Sequence, residues 1–332
     1  MSDLVSLLYT VDLASERIGG RVLFASNEFF ANAEMMIKEG RGQWIDGLYT
    51  RDGKGPCAPK PSARCAGKWM DGWESGRHSF TRGGKDFALV RIVPGIVRGV
   101  DIDTNNFTGN FAEYATIEGC NVEGDPDWFH LCESDVKWTT ILPKTQLVSG
   151  VAGKGHNYLE IKNSQVWTHL RLWNHPDGIA LREGRLIGGI ARFKVYGEVF
   201  PDWKKARLYR GCVDLASVLN GGVSIACSNN FYSVRMALHA SVQEPTNLLF
   251  PQRAANMGDG WESRRARGIT DQTRDWAVIK LGGAGMLRCI EVDTNHFRGS
   301  VCPFPPLCAS SFMVPWLQAI SRTVSKWSGP MW

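Results

Sequence analysis

No stretch of this sequence stays apolar for the ~20 residues that a membrane-spanning helix needs. The first apolar run, Leu4 to Val11, has no basic residue before it, sits between Asp3 and Asp12, and lacks a small-residue cleavage site. No block of like charge occurs either. The 38 Lys and Arg are interleaved with 33 Asp and Glu, leaving a net charge of +5 over 332 residues, which argues against a nucleic-acid partner. Cysteine occurs nine times but never as CxxC or with the paired spacing of a zinc site; an odd number of scattered residues reads as mostly buried free thiols in a reducing compartment. There is no HExxH and no nucleophile elbow. Gly282-Gly-Ala-Gly285 and Gly153-Lys-Gly155 lack the spacing and helix context of a phosphate loop. These absences leave a soluble chain with no membrane and no nucleic-acid partner, placed in the cytoplasm with the peroxisome as the second compartment.

What the chain does contain is one passage written twice. Asp71-Gly-Trp-Glu-Ser75, then Asp86 to Ile92, then Gly95 to Gly109 return in the same order as Asp259-Gly-Trp-Glu-Ser263, Asp275 to Leu281 and Gly285 to Gly299. The offset is 188 at Asp71 and Asp259 and 190 at Asp103 and Asp293, so insertions between the copies are few. Ile18 to Phe30 likewise has a counterpart in Asn220 to Tyr232. A period this long means two whole domains, taken here as 1–200 and 201–332, not a short-repeat solenoid. After about residue 300 the second copy no longer follows the first, and 301–332 reads as a divergent tail.

Both copies consist of short strand-like runs bounded by Gly, Pro, Asn and Asp, with few long stretches of helical period. The order acid, apolar, acid at Asp101-Ile-Asp103 puts two carboxylates on one face of a strand and Ile102 on the other, so one face is expected to bury while the other meets a polar cleft. The predicted fold is all-β: two tandem jelly-roll β-sandwich domains of galactose-binding-like type, the second incomplete.

The sequence resembles the allantoicase family, hydrolases built from two copies of a jelly-roll domain. The resemblance runs from about residue 18 to 300. It rests on Gly67-Lys-Trp-Met-Asp-Gly-Trp-Glu74, the Asp-x-Asp-Thr run ending at Asn110, Gly155-His-Asn-Tyr158, Trp167 to Leu172, Pro176-Asp-Gly178 with Gly189-Ile-Ala-Arg192, Asp259 to Arg265, and Glu291-Val-Asp-Thr294. Three departures stand out: Gly76 replaces one of a pair of arginines, Ile179 to Gly188 interrupts a run the family reads continuously, and the end of the second copy is foreign. The resemblance implies hydrolysis of allantoate to ureidoglycolate and urea; the reading kept beside it is a catalytically silent binding or structural sandwich.

Such a substrate carries one carboxylate and two ureido groups, so a site needs guanidinium to hold the carboxylate and a general base, or a metal-bound water, to help urea depart. Glu74, Asp103, His156, Glu262 and Asp293 are the catalytic candidates, with Arg77, Asp177, Arg192, Arg264 and Arg265 for substrate binding; Asp177 and Arg192 owe their place to the family motif alone. Each has a structural reading beside the functional one: an ion pair for Glu74 and Arg77, loop hydrogen bonds for Asp101 and Asp103, core packing for Trp73, and a packed, satisfied histidine for His169. No protein ligand set for a metal and no certain cofactor is identified, a divalent ion stays open as an activator of water, and so does a homo-oligomer.

Overall fold

The computed structural model describes residues 10–42, 44–45, 69–76, 85–175, 188–204, 208–209, 211–229, 249, 260–264, 275–293, 296 and 312–313. The chain divides into two compact units, Met1–Phe200 and Pro201–Trp332. Among the described residues the first holds twelve strands: β1 (Val11–Asp12), β2 (Arg21–Ala25), β3 (Trp44–Ile45), β4 (Trp69–Met70), β5 (Trp73–Glu74), β6 (Asp86–Asp103), β7 (Tyr114–Cys120), β8 (Thr139–Gln146), β9 (Tyr158–Glu160), β10 (Trp167–His175), β11 (Gly189–Ile190) and β12 (Arg192–Val199). Its only α-helix among the described residues is α1 (Trp128–Leu131). The ladders between these strands are antiparallel, as the all-β reading requires.

Strand β6, 18 residues long, organises the unit because its two halves have different neighbours. The first half is flanked by β2 and β10, and β10 carries β7 and then β8. The second half is flanked by β12 and β9, and β12 carries β1. The change of partners falls at Pro94-Gly95. Pro94 is exposed and has no N–H for a ladder, while its carbonyl accepts from the Phe200 N–H at 2.8 Å. Being central, β6 is apolar on both faces over its first half, where Ala88, Leu89 and Val90 are fully buried. With Ile102, Phe107, Ile117, Leu170, Leu172 and Phe193 they form the core, at about 1.5–3 kcal/mol of burial for each large side chain.

The alternation at the end of β6 behaves differently from the expectation of an open polar face. Ile102 is buried as predicted, but Asp101 and Asp103 are also 3% and 1% exposed. The chain at 38–42 covers their side of the sheet, so both carboxylates had to find partners inside the protein.

The second unit contains β13 (Leu208–Tyr209), β14 (Cys212–Val213), β15 (Val223–Cys227), β16 (Ala277–Lys280), β17 (Glu291–Val292) and β18 (Phe312–Met313). The sequence repeat is also a repeat of hydrogen bonds. Trp73 Nε1 donates to the Asn27 carbonyl at 2.8 Å, and Trp261 Nε1 to the Asn229 carbonyl at 2.7 Å. Ser26 Oγ meets Asp86 Oδ1 at 3.0 Å and Ser228 Oγ meets Asp275 Oδ1 at 2.8 Å. Asn106 and His296 share a left-handed backbone, φ 72° and 73°. The Trp of the repeated phrase is therefore a strut tying it to the preceding strand turn, and Trp73 is fully buried.

Two sequence expectations need correction. Against the expectation of mostly buried thiols, of the five described cysteines only Cys120 is buried; Cys132 and Cys289 are exposed and Cys212 and Cys227 lie between. His169 is packed, 1% exposed, but not satisfied: Nδ1 meets Thr168 Oγ1 at 2.9 Å while Nε2 has no partner. Among the described residues no helix is long and apolar enough to cross a membrane. The interruption at 179–187 lies outside the described residues, as does the tail apart from 312–313.

Candidate functional site

The end of β6 and the turn before β9 build one polar cluster in the first unit. The strand stops because Asp103 Oδ1 accepts from the Asn105 backbone N–H at 2.8 Å and from its amide at 2.6 Å, and Asn106 then turns left-handed. Facing this turn, Gly155 approaches so closely that any Cβ there would strike the Asn105 nitrogen and Thr104. Asn157 stitches the segments: its amide donates to Ile102 O (2.7 Å) and Gly155 O (2.9 Å), and its Oδ1 accepts from the Val148 N–H (2.8 Å). His156 lies between glycine and stitch, so its ring has a fixed origin.

The His156 Nδ1–H donates to Asp101 Oδ2 at 2.7 Å, with Asp103 Oδ2 3.9 Å away. Asp101 Oδ1 accepts from the Asn157 backbone N–H at 3.0 Å. The hydrogen bond to Asp101 is the main reason the His156 pKa is raised, with the charges of Asp101 and Asp103 adding to it and burial opposing. Burial in turn pushes the Asp103 carboxyl up. Tyr158 stacks on the imidazole, ring centroids 5.6 Å apart, and burial raises its phenol to about 12, so it stays a neutral donor. This is a histidine held in one tautomer and biased towards its charged form, at the edge of two enclosed carboxylates.

Arg192, expected to bind substrate, is committed elsewhere. It pairs across the ladder with Asp103, but its guanidinium closes on Asp71, Nη2–Oδ2 2.6 Å and Nη1–Oδ1 3.1 Å. The other donors go to backbone carbonyls: Nε to Gly40 (3.2 Å), Nη2 to Arg41 (3.1 Å) and Nη1 to Ala191 (2.7 Å). All five N–H groups face protein acceptors, which leaves none for a ligand. Its role is to bind the phrase at Asp71 and the segment at 40–41 to β12.

Glu74 sits in a second place in the same unit. Its backbone is held on one side by Ala31 and on the other by Gly189 in β11. Its Oε1 accepts from the Asn110 amide at 2.7 Å. Burial is the dominant influence and lifts the carboxyl to about 7, with the Asn110 bond pulling the other way. A carboxyl that titrates at neutrality can both accept and return a proton. The two places are anchored along one stretch of chain, Gly189 opposite Glu74 and Arg192 opposite Asp103.

Among the described residues the second copy does not reproduce either arrangement. Glu262 is half-buried, Arg264 and Asp293 are exposed, and Glu291, which aligns with Asp101, is exposed too. The structure thus brings Asp103 to His156, holds Glu74 at a separate place in the first unit, and leaves Glu262, Arg264 and Asp293 in the second. Arg77, Asp177 and Arg265 lie outside the described residues. The fixing partners Asn105 and Asn110 are not among the candidates read from the sequence, although both stand inside the run from Asp101 to Asn110 that carries the family resemblance.

For a divalent ion the residues present do not fit. Among the described residues no three His, Cys, Asp or Glu side chains converge as ligands. Both oxygens of Asp101 and one of Asp103 are taken by N–H donors. A shallow surface depression lined by Arg98, Glu160, Lys162, Asn163 and Glu198 among others includes none of the candidate residues.

A family model described as Allantoicase repeat matches residues 11–200 and again 213–327. A protein of Burkholderia mallei named "Probable allantoicase 2" is 39% identical over 303 residues, 90% of this chain and 74% of that protein. "Probable allantoicase" of Pseudomonas paraeruginosa is 38% identical over 301 residues, 90% of this chain and 75% of its own. The crystal structure of allantoicase from Saccharomyces cerevisiae superposes with a TM-score of 0.63 at 30% identity, covering 90% of this chain and 78% of that one.

Proposed function

This chain belongs to the allantoicase family, and from that premise we propose how its first unit hydrolyses allantoate to ureidoglycolate and urea. The observation that carries the reading is a pair of titratable groups with raised pKa values in one unit: Glu74, lifted to about 7, and His156, raised by its bond to Asp101.

The substrate's central carbon bears a carboxylate, a hydrogen and two ureido nitrogens. Hydrolysis forms one C–O bond to water and breaks one C–N bond, so one proton must leave the water and another must reach the departing nitrogen. Glu74 as carboxylate takes the first; His156 as imidazolium gives the second. Afterwards the proton on Glu74 returns to solvent and His156 is reprotonated, which resets the site. Asp101 fixes the imidazole and keeps its proton, while Asp103 at 3.9 Å adds negative charge that favours imidazolium. Asn110 keeps Glu74 ionisable where burial alone would hold it neutral.

Urea release by the purified chain tests this. Glu74→Gln and His156→Gln each lower kcat by roughly 100-fold or more, whereas Glu262→Gln stays within about twofold of the parent. Full activity in Glu74→Gln, or a loss in Glu262→Gln as large as in Glu74→Gln, would sink the assignment to the first unit.

A further inference from the structure

The reaction needs a cation for the substrate's carboxylate; of the arginines expected for that task, Arg192 is committed to Asp71, and Arg77 lies outside the described residues. The short stretch Gly40-Arg41-Gly42 offers another. Its backbone is pinned at three successive carbonyls: Gly40 by Arg192 Nε (3.2 Å), Arg41 by Arg192 Nη2 (3.1 Å) and Gly42 by the Asn106 amide (2.9 Å). Two residues earlier, Lys38 O accepts from Lys194 Nζ at 2.7 Å. Lys194 and Arg192 are the ladder partners of Asp101 and Asp103, so these bonds lay the stretch across the strands that carry the two carboxylates.

The flanking glycines make that close fit attainable. Gly40 has φ +77°, which a larger residue adopts only with strain, and a Cβ on Gly42 would press against Ala191 Cβ at 3.0 Å and Asp71 O at 3.2 Å. Arg41 therefore supplies the only side chain of this stretch, and it is exposed. Its positive charge is felt at both His156 and Tyr158, acting against the charged imidazolium and in favour of phenolate. Arg41 thus adds to the surroundings of His156 and Tyr158 a guanidinium, whose fork suits a carboxylate.

We propose that Arg41 holds the substrate carboxylate, with the Asp71–Arg192 pair as the device that positions it. This rests on the reading of the first unit as the place of reaction, and it makes the acid group of the substrate a specificity handle. Without an anion, Arg41 and a charged His156 repel; an incoming carboxylate relieves that repulsion and strengthens the imidazolium.

The test uses the full chain, allantoate, and its uncharged carboxamide analogue, with binding followed by calorimetry and turnover by urea release. Arg41→Gln weakens allantoate binding and raises KM by roughly 10–100-fold while kcat changes by less than about threefold, and the carboxamide binds parent and variant alike. Arg41→Lys recovers part of the affinity, since a point charge replaces a fork. Unchanged allantoate affinity in Arg41→Gln, or an equal loss for both ligands, overturns the proposal. Because calorimetry needs no turnover, full activity in Glu74→Gln or His156→Gln would dismiss the proton carriers and leave the anion site standing.

Discussion

Asp71 and Arg192 meet through two parallel hydrogen bonds, 2.6 and 3.1 Å, with side chains only 8% and 4% exposed. They come from residues 121 apart, one in the repeated phrase and one at the start of β12, and the same guanidinium also holds carbonyls of Gly40, Arg41 and Ala191. A buried pair of this kind is a brace whose loss on one side leaves an uncompensated charge.

Arg192→Ala should accordingly destabilise the first unit by about 3–5 kcal/mol in urea denaturation. Combining it with Asp71→Asn should cost less than the sum of the two single changes, by about 1–3 kcal/mol, because the stranded carboxylate is gone. Were Arg192 a substrate ligand instead, its removal would raise KM and leave the denaturation midpoint where it was.

The pH dependence of kcat/KM offers a separate check. In the parent, activity rises as Glu74 ionises through about 7 and falls at higher pH as His156 loses its proton. Asn110→Leu deletes the bond that favours the carboxylate, so the rising limb moves to higher pH. Asp101→Asn deletes the main support of the imidazolium, so the falling limb moves down. A profile that shifts in neither variant would mean that these groups do not carry the protons.

His169 predicts an acid-labile core. Burial, with a smaller push from Arg91, lowers its pKa from 6.5 to about 4, and Nε2 has no partner. The folded state therefore binds fewer protons than the unfolded chain between those values; the stability present above pH 6.5 is lost as pH falls towards 4. The loss amounts to at most about 3 kcal/mol. In His169→Leu the fall in melting temperature from pH 7 to pH 4.5 should be smaller than in the parent, the remainder coming from His175, which is depressed to about 4 as well. An identical fall in both proteins would show that His169 is already hydrated or opens before it titrates.

The repeated phrase was legible because it is made of fixed spacings, and it announced two domains of one kind without any contact being known. The strand runs were legible because Val, Ile, Leu and aromatic residues cluster between turn formers there. Glu74, Asp103 and His156 could be picked out by residue type and by their place in the repeated or family-like runs. Their partners could not, since Asp101 and His156 are 55 positions apart, Glu74 and Asn110 are 36 apart, and Asp71 and Arg192 are 121 apart. Nothing local distinguishes an arginine that will spend every donor on the protein from one that will wait for a ligand.

The amino-acid sequence by itself determined the duplicated all-β architecture and the residue types at hand, because periodicity, turn chemistry and repetition are properties of the chain. Only the tertiary structure decided which of these residues are enclosed and which partners they meet. It enclosed Asp101 and Asp103 under residues 38–42, raised Glu74 by burial and His156 by a carboxylate, and left Glu291 and Asp293 in water. Desolvation and hydrogen bonding between distant segments set those charges, and neither exists before the chain has folded.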